Sequence, residues 1–440
     1  MAATPQPATR PLPWYLPPAA SGRSLAPDLA RGFMLLLIAL ANSSWHLWGQ
    51  TPSMSNHPAD GSALDRALRA VLAVAVEGRV YPMFAFLLGY GMVQFARSRA
   101  GRGVHPLEIR RLLRRRHWFL VLFGFVHALL LFAGDVLGAY GLLGLALVGL
   151  FFNRSDKVIL GWGIAFTALM ALGGLLGAAS GGWLESAITA DPEIGRQVQE
   201  SIASSSGSFD ISGSGEPNYL LAALYRTLMW LVASPGSMLL LTLPASILFG
   251  WWAARRGVLE QPAAHRRLLT WVAGVGIGVG WAAGVPSALH HMGALPLPEY
   301  LAWVPLTTAY SFGGFAGIGY AALFGLVAAR RPTPGRLGLA LTAVGRRSLS
   351  AYLWQSIIMA PLLAAWGLGL GQHVNTAGVL AIATATWLAG LGLCVWLDAR
   401  QQAGPFEVLL RRLVNRGRPA VPPAWGGPAP HAGAGAPGSR

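Results

Sequence analysis

A histidine and an aspartate eight positions apart are the best candidates for catalysis in this chain. His127 lies in the outer half of an apolar segment, and Asp135 follows in a short turn before the next apolar segment. An imidazole oriented by a carboxylate has the parts of a general base, which takes a proton from a hydroxyl or an amine. The structural alternative is a histidine bonded to a backbone carbonyl and an aspartate that caps the next helix. Because ionisable groups at membrane depth are costly, both interpretations stay open.

A cluster of arginines precedes the segment that holds His127, in the sequence RRLLRRRH at 110–117. Guanidinium groups at helical spacing present paired donors that suit phosphates, such as those of coenzyme A. They suit lipid headgroups as well. We take Arg111, Arg114 and Arg115 as candidate ligands of acyl-CoA.

A polar stripe marks a later apolar segment, where Ser348, Tyr352, Gln355 and Ser356 follow one another at spacings of 4, 3 and 1. These spacings place the four side chains on one face of a helix, directly after Arg346. The stripe is typical of a cavity wall, and it makes Arg346, Tyr352 and Gln355 further candidate contacts of acyl-CoA. Hydrogen bonding between helices is the alternative explanation.

Four more polar residues in or beside the apolar segments are candidate lining of a substrate cavity: Arg31, Asn42, Arg79 and Tyr140. Arg31 alone is typical of a topology anchor, and Asn42 also suits a hydrogen bond between helices. The chain contains no metal-ligand spacing, so we predict no metal.

The composition of the chain indicates the class of protein that must position these residues. Of the 440 residues, 54% are apolar and 11% are charged, whereas soluble proteins carry about 25% charged residues. A soluble domain, a disordered chain and a disulfide-rich scaffold are therefore excluded, the last because Cys394 is the single cysteine. The net charge of +16 comes from basic residues between apolar segments, not on a polar domain. We predict a lipid bilayer as partner and no nucleic acid.

Runs of about 20 apolar residues predict an all-α membrane bundle of ten spans. The segment 219–234 carries Arg226 in mid-run and is predicted to be an interfacial helix. With both termini in the cytoplasm, twenty-eight basic residues lie inside and five outside, as the positive-inside rule requires. The spans are predicted near 31–50, 76–97, 117–133, 136–153, 157–179, 236–254, 268–290, 300–329, 338–366 and 376–399.

The chain is predicted to hold one transmembrane domain, residues 25–415, between two proline-rich tails. The tails, 1–24 and 416–440, have the composition of disordered cytoplasmic segments. Between the fifth and sixth spans, residues 180–218 are rich in glycine, serine and acidic residues. This stretch is predicted to be an outer loop that is long enough to cover a cavity.

Five sequence blocks occur in an order that resembles a known family. They are Arg31-Gly32 followed by LLIALAN, Glu77-Gly78-Arg79-VYPMFAFLLGYG, His127-ALLLFAGDVLGAYGLLGL, Gly345-Arg346-Arg347-SLSAYLWQS and Gly404-Pro405-Phe406-Glu407-VLLRRLV. With these blocks the chain resembles the YeiB-like family of bacterial inner-membrane proteins, domain of unknown function 418, over about residues 25–415.

The YeiB-like family is similar in layout to transmembrane acyltransferases, which pass an acyl group from cytoplasmic acyl-CoA to a sugar or polymer across the bilayer. The resemblance implies an inner-membrane acyltransferase. It leaves open whether the protein forms a homo-oligomer. Among these acyltransferases, the heparan-glucosaminide acetyltransferases carry their catalytic histidine in the outer loop before the second span, followed by a tryptophan. In this chain that loop holds His46 and His57, and neither matches the pattern. The catalytic role is therefore assigned to His127 and Asp135. The alternative function is a small-molecule transporter or lipid flippase that does no covalent chemistry.

Overall fold

The computed structural model describes residues 24–51, 55–205, 212–331 and 333–416. Within these ranges the chain forms fifteen α-helices and no strand, which confirms the predicted all-α class. Apart from Ser24 and Arg416, the predicted disordered tails lie outside the described residues. The helices are α1 Leu25–Ser43, α2 Ala63–Ala75, α3 Val80–Ala100, α4 Pro106–Leu130, α5 Leu137–Phe151, α6 Asp156–Ala190, α7 Pro192–Ser205, α8 Tyr219–Gly236, α9 Thr242–Arg255, α10 Arg266–His291, α11 Trp303–Arg330, α12 Arg336–Arg346, α13 Ser348–Leu363, α14 Thr376–Ala399 and α15 Pro405–Asn415.

Among the described residues, six helical segments are long and apolar enough to cross a membrane, or seven if the bent pair α8 and α9 forms one span. The axes of that pair differ by 60°. Two shorter apolar helices, α5 and α13, pack in the same bundle. Helices satisfy their own backbone groups in a hydrocarbon medium, so the fold is that of a helical membrane protein. The six segments are Leu25–His46, Ala63–Ala100, Asp156–Ala190, Arg266–His291, Glu299–Arg330 and Thr376–Ala399.

The break between α2 and α3 is held by a buried arginine. Gly78 has a φ of +74°, a conformation that glycine adopts without a side-chain clash. Arg79, fully buried, donates to the backbone carbonyl of Glu77 and, over 2.7 Å, to the carbonyl of Gly280 in α10. Its charge thereby fixes the bent segment against a neighbouring helix.

The bundle has a core of buried helices and two peripheral ones. α1 and α3 bury most of their apolar residues, whereas α6 and α10 leave theirs largely at the surface. A helix that is apolar on all sides and exposed at the protein surface is typical of contact with lipid. α6 packs against α9 and α11, and α10 packs mainly against α11 and α2.

The prediction of an outer loop over 180–218 is wrong for most of that stretch. α6 continues to Ala190, and α7 covers Pro192–Ser205. Alanine, leucine, glutamate and glutamine in this stretch favour a helix, although glycine and serine are nearly as frequent. Pro192 is the first residue of α7, a position where proline is well tolerated.

The ninth predicted span, 338–366, is divided in the structure. α12 ends at Arg346 and α13 begins at Ser348, with Arg347 between them. Arg347 is fully buried and bonds to Asp398 and to the backbone carbonyls of Ala343 and Gln402. The break therefore places Arg347 in an ion pair with Asp398, a partly exposed residue near the end of α14.

Candidate functional site

His127 and Asp135 meet where α4 ends and α5 begins. The Nδ1 atom of His127 lies 2.8 Å from Oδ1 of Asp135, and the side chains are 1% and 0% exposed. The second oxygen, Oδ2, accepts the backbone N–H of Gly138 over 2.7 Å and the indole N–H of Trp230 over 3.2 Å. An ionised carboxylate beside the Nδ1–H tautomer of the imidazole satisfies all three contacts.

Two glycines allow the close approach that forms this pair. A Cβ atom on Gly124 of α4 would lie 2.3 Å from Oδ2 of Asp135 and from the backbone nitrogen of Gly138. A Cβ atom on Gly138 would lie 2.5 Å from the Trp230 ring. Any larger residue at either position therefore displaces the carboxylate or the indole.

The geometry combines the two interpretations of the sequence. Asp135 bonds to an N–H of the first turn of α5, as the capping alternative predicts. The same carboxylate also bonds to the imidazole, and the described contact of Nδ1 is with Asp135 and not with a backbone carbonyl. Asp135 thus caps a helix with one oxygen and orients His127 with the other.

The second nitrogen of His127 has no hydrogen-bond partner. Nε2 is buried, and the ring lies 5.3 Å from that of Tyr352 and 6.1 Å from that of Phe132. A buried polar atom without a partner costs about 1–3 kcal/mol, so an unpartnered atom needs an explanation. In the tautomer that Asp135 favours, Nε2 carries a lone pair and is able to accept a proton.

A small cavity lies close to this pair. Its volume of about 10 Å³ has space for about one water molecule. His46, Phe132, Arg226 and Trp366 are among its lining residues, and His127 is not. The Phe132 ring, 4.9 Å from that of His46, is the aromatic neighbour that the cavity and His127 share.

α8 forms a wall of the site through Trp230 and Arg226. The Arg226 guanidinium donates over 3.2 Å to the carbonyls of Ala128 and Leu129, near the end of α4. The rings of Tyr219 and Trp366 lie within 5.5 Å of it. The charge in mid-run therefore satisfies carbonyls that the end of α4 leaves free. Trp230 was not among the predicted site residues.

Tyr352, predicted to contact acyl-CoA, bonds beside the pair, and the predicted cavity residues Tyr140 and Asn42 make further polar contacts through Tyr81. The Tyr352 hydroxyl accepts the backbone N–H that follows Asp135 over 3.4 Å. Tyr140 donates to the carbonyl of Tyr81 over 2.9 Å, and the Tyr81 hydroxyl donates to Oδ1 of Asn42 over 3.4 Å. Tyr81 was missed, although it lies in the block that begins at Glu77.

The remaining predicted residues bind elsewhere in the bundle. Gln355 donates to a backbone carbonyl of α1 over 2.8 Å. Arg31 lies 3.3 Å from Asp28, and Arg346 lies 3.3 Å from Asp398 and 3.9 Å from Asp28. Arg346 thus connects α12 to α1 and α14, whereas the pair of Arg31 and Asp28 lies within α1 and Arg31 also donates to the carbonyl of Leu87 in α3 over 3.2 Å.

The arginines predicted to bind phosphates are placed at the far end of α4 from the pair. Arg111 is 79% exposed and lies 3.6 Å from Glu108, Arg114 is exposed, and Arg115 donates to the carbonyl of Arg416. Twelve residues separate Arg115 from His127, which is about 18 Å along a helix. The structure therefore puts both groups on one helix without bringing them into contact.

His57, on the loop before α2, is a second histidine that lies near a carboxylate. His57 is buried, and its Nε2 lies 3.9 Å from Oε1 of Glu77, beyond hydrogen-bond distance. Burial, together with Arg69, lowers the pKa of His57 to about 4, so its imidazole is neutral at physiological pH. The contact is not an ion pair, and it differs in this respect from the short bond between His127 and Asp135.

Comparison with known proteins shows which proteins the chain resembles. The family model described as "Protein of unknown function (DUF418)" matches residues 253–417. The chain is 28% identical to "Uncharacterized protein YxaH" of Bacillus subtilis over 366 residues, 80% of this chain and 82% of that protein. It is 29% identical to "Uncharacterized protein YeiB" of Escherichia coli over 415 residues, 90% of this chain and 97% of that protein. No solved structure matches significantly. By these matches the chain is similar to YeiB-like DUF418 proteins over most of its length, and its C-terminal part, residues 253–417, matches the DUF418 family model.

Proposed function

We propose that this protein is an acyltransferase of the bacterial inner membrane, which moves an acyl group from cytoplasmic acyl-CoA to an acceptor at the outer face. The observation that carries the proposal is the buried imidazole of His127, held by Asp135 through Nδ1 and unpartnered at Nε2. Nε2 takes the proton of the acceptor hydroxyl or amine, whose oxygen or nitrogen then attacks the thioester carbonyl. The thiolate of CoA leaves and takes that proton back from the imidazolium, which Asp135 stabilises meanwhile.

The donor enters, in this proposal, along α4. Arg111, Arg114 and Arg115 bind the phosphates of CoA at the exposed end of the helix, about 18–24 Å from His127 along the helix axis. Tyr352 and Gln355 line the path of the pantetheine arm. Because rings close around Nε2, entry of the thioester requires that Tyr352 or Phe132 moves aside.

The topology that belongs to this proposal has ten spans and both termini in the cytoplasm. The distribution of arginine supports it, since the cluster of α4 then lies on the same side as the ends of α9 and α14. The variant Cys394→Ala contains no cysteine, so that single cysteines introduced into it report which side of the membrane they face. A cysteine at Glu200 should react with an impermeant maleimide added to whole cells, and one at Arg336 should react only after lysis. The opposite pattern refutes this orientation.

The test of the activity is release of CoA and transfer of label from radioactive acetyl-CoA by the protein in nanodiscs, with a membrane extract as acceptor. We expect His127→Ala to abolish both. The matched control is His117→Gln, which alters another buried histidine of α4 whose Nδ1 lies 2.8 Å from the carbonyl of Leu113. Unchanged turnover in His127→Ala refutes the role of His127. Solute or lipid flux in proteoliposomes without covalent change favours a transporter.

A further inference from the structure

An apolar cavity lies away from His127, on the surface formed by α6, α9, α10 and α11. Its volume is about 400 Å³, and apolar side chains make up nearly all of its lining. No residue of α4 or α5 lines it. We name it the apolar groove and represent it by Met170, Phe249, Trp252, Trp271, Val275 and Phe315.

The groove opens to the surface that faces lipid. Trp271 and Val275 line it from α10 and are 64% and 49% exposed. The hydroxyls of Thr167 and Ser246, which also line it, donate to carbonyls of their own helices. The groove therefore offers an apolar occupant little polar surface to desolvate.

The length of the groove matches one leaflet of a bilayer. Its lining on α9 extends from Thr242 to Ala253, which is about 16 Å of helix at 1.5 Å per residue. The hydrocarbon core of a bilayer is about 30 Å thick, so one leaflet contributes about 15 Å of acyl chain. A single acyl chain that lies along α9 fills this length.

Arginines surround one end of the groove. The guanidinium of Arg256 lies 5.9 Å from the ring of Trp252, a lining residue, and pairs with Asp156 over 3.1 Å. Arg266 and Arg267 are exposed and immediately precede Leu268, which also lines the groove. The carboxylates at this end are Asp156 and Glu260, which follows the lining residue Leu259. Arg255, Arg256, Arg266 and Arg267 outnumber them, so this end matches the charge of an anionic headgroup.

We propose that the apolar groove is a binding site for one anionic phospholipid of the cytoplasmic leaflet. One acyl chain lies between α6 and α10 over α9, and the phosphate of the headgroup contacts Arg266 and Arg267. The positive-inside rule assigns the arginine end to the cytoplasmic side. The site is separate from the proposed acyl transfer, so its occupancy can be measured without any activity.

Two kinds of variant test the chain and the headgroup separately, by native mass spectrometry of the protein mixed with phosphatidylglycerol or phosphatidylcholine. Val275→Trp fills the groove and should remove most bound lipid of both types. Its control is Val279→Trp, one turn further along α10, which is exposed but does not line the groove. Equal retention of lipid in these two variants overturns the proposal.

The double variant R266Q/R267Q should lose the preference for phosphatidylglycerol, by about fivefold for each arginine, and keep the binding of phosphatidylcholine. Its control is R411Q/R412Q, an exposed pair on α15 that should leave the preference unchanged. Equal preference in both double variants overturns the headgroup assignment.

A phosphatidylglycerol with a diazirine on one acyl chain locates the occupant. We expect crosslinks on the peptides that contain 242–253 and 311–322. Crosslinks spread evenly over the other exposed helices, or a lipid-independent dimer that protects Trp271 from modification, would contradict the proposal. The dimer result would assign the groove to a second copy of this chain.

Discussion

Replacing Asp135 tests whether this carboxylate orients His127 or only completes the packing of α5. In Asp135→Ala, the indole N–H of Trp230 and the backbone N–H of Gly138 lose their shared acceptor inside the protein. Each buried donor left without a partner costs about 1–3 kcal/mol, so the loss at these two donors alone should lower the free energy of unfolding by about 2–6 kcal/mol, before any cost at Nδ1 of His127. In Asp135→Asn, the amide oxygen is still able to accept both donors, and the loss should be smaller by several kcal/mol.

The asparagine variant has a second consequence, which concerns the imidazole. Its side-chain NH₂ group donates towards Nδ1 of His127, which must then present a lone pair. The proton of the neutral ring moves to Nε2, the atom that is proposed to act as base. Asp135→Asn should therefore fold and yet lose its activity by about 10⁴-fold, the size of effect that a wrong histidine tautomer has in serine proteases.

The measurements are thermal unfolding in detergent and ¹⁵N NMR of labelled histidine. The alanine variant should melt well below the asparagine variant, and the Nδ1 and Nε2 resonances of His127 should exchange character in Asp135→Asn. Equal melting temperatures for both variants refute the count of lost hydrogen bonds. An unchanged tautomer in Asp135→Asn refutes the assigned direction of the bond between Asp135 and His127.

Two further predictions concern protonation and close packing. Burial raises the pKa of Glu260, which bonds to the Tyr90 hydroxyl, from 4.5 to about 7. As the pH rises, the carboxyl of the unfolded chain ionises before that of the folded protein. The free energy of unfolding should therefore fall by about 3 kcal/mol between pH 4.5 and 7 and change little above pH 7. Glu260→Gln should remove this pH dependence in thermal melts. Gly124→Ala places a Cβ 2.3 Å from Oδ2 of Asp135 and should cost about 1–3 kcal/mol together with the activity, whereas Gly149→Ala, which points into open space, should be neutral in the same assays.

The pair of His127 and Asp135 was predictable because both residues flank one short turn. A turn between two antiparallel helices brings its own ends together, whatever the rest of the bundle does. Trp230 was not predictable, since it approaches Asp135 from 95 positions along the chain. Such a contact depends on how α8 packs on α4 and α5, and neither hydrophobic periodicity nor charge reports that packing.

The charge of Arg226 illustrates a second limit. Arg226 was the reason to predict residues 219–234 as an interfacial helix and not as a membrane span, because an arginine in the middle of a span is costly. In the structure the same guanidinium is 2% exposed and bonds to carbonyls at the end of α4. The sequence indicates that such a buried charge needs a partner. It does not identify the partner, because every residue has a backbone carbonyl whatever its side chain.

Buried charge in this bundle therefore does not by itself define a site, and the comparison of two histidines on α4 shows what does. His117 and His127 are both buried, and each has an unpartnered Nε2 and a bonded Nδ1. The Nδ1 of His117 faces the carbonyl of Leu113, a neutral acceptor that fixes the tautomer but adds little stability to an imidazolium. The Nδ1 of His127 faces a carboxylate, which also stabilises the ring after it takes a proton. This difference in charge, and not depth in the membrane, is the reason that we assign the base to His127.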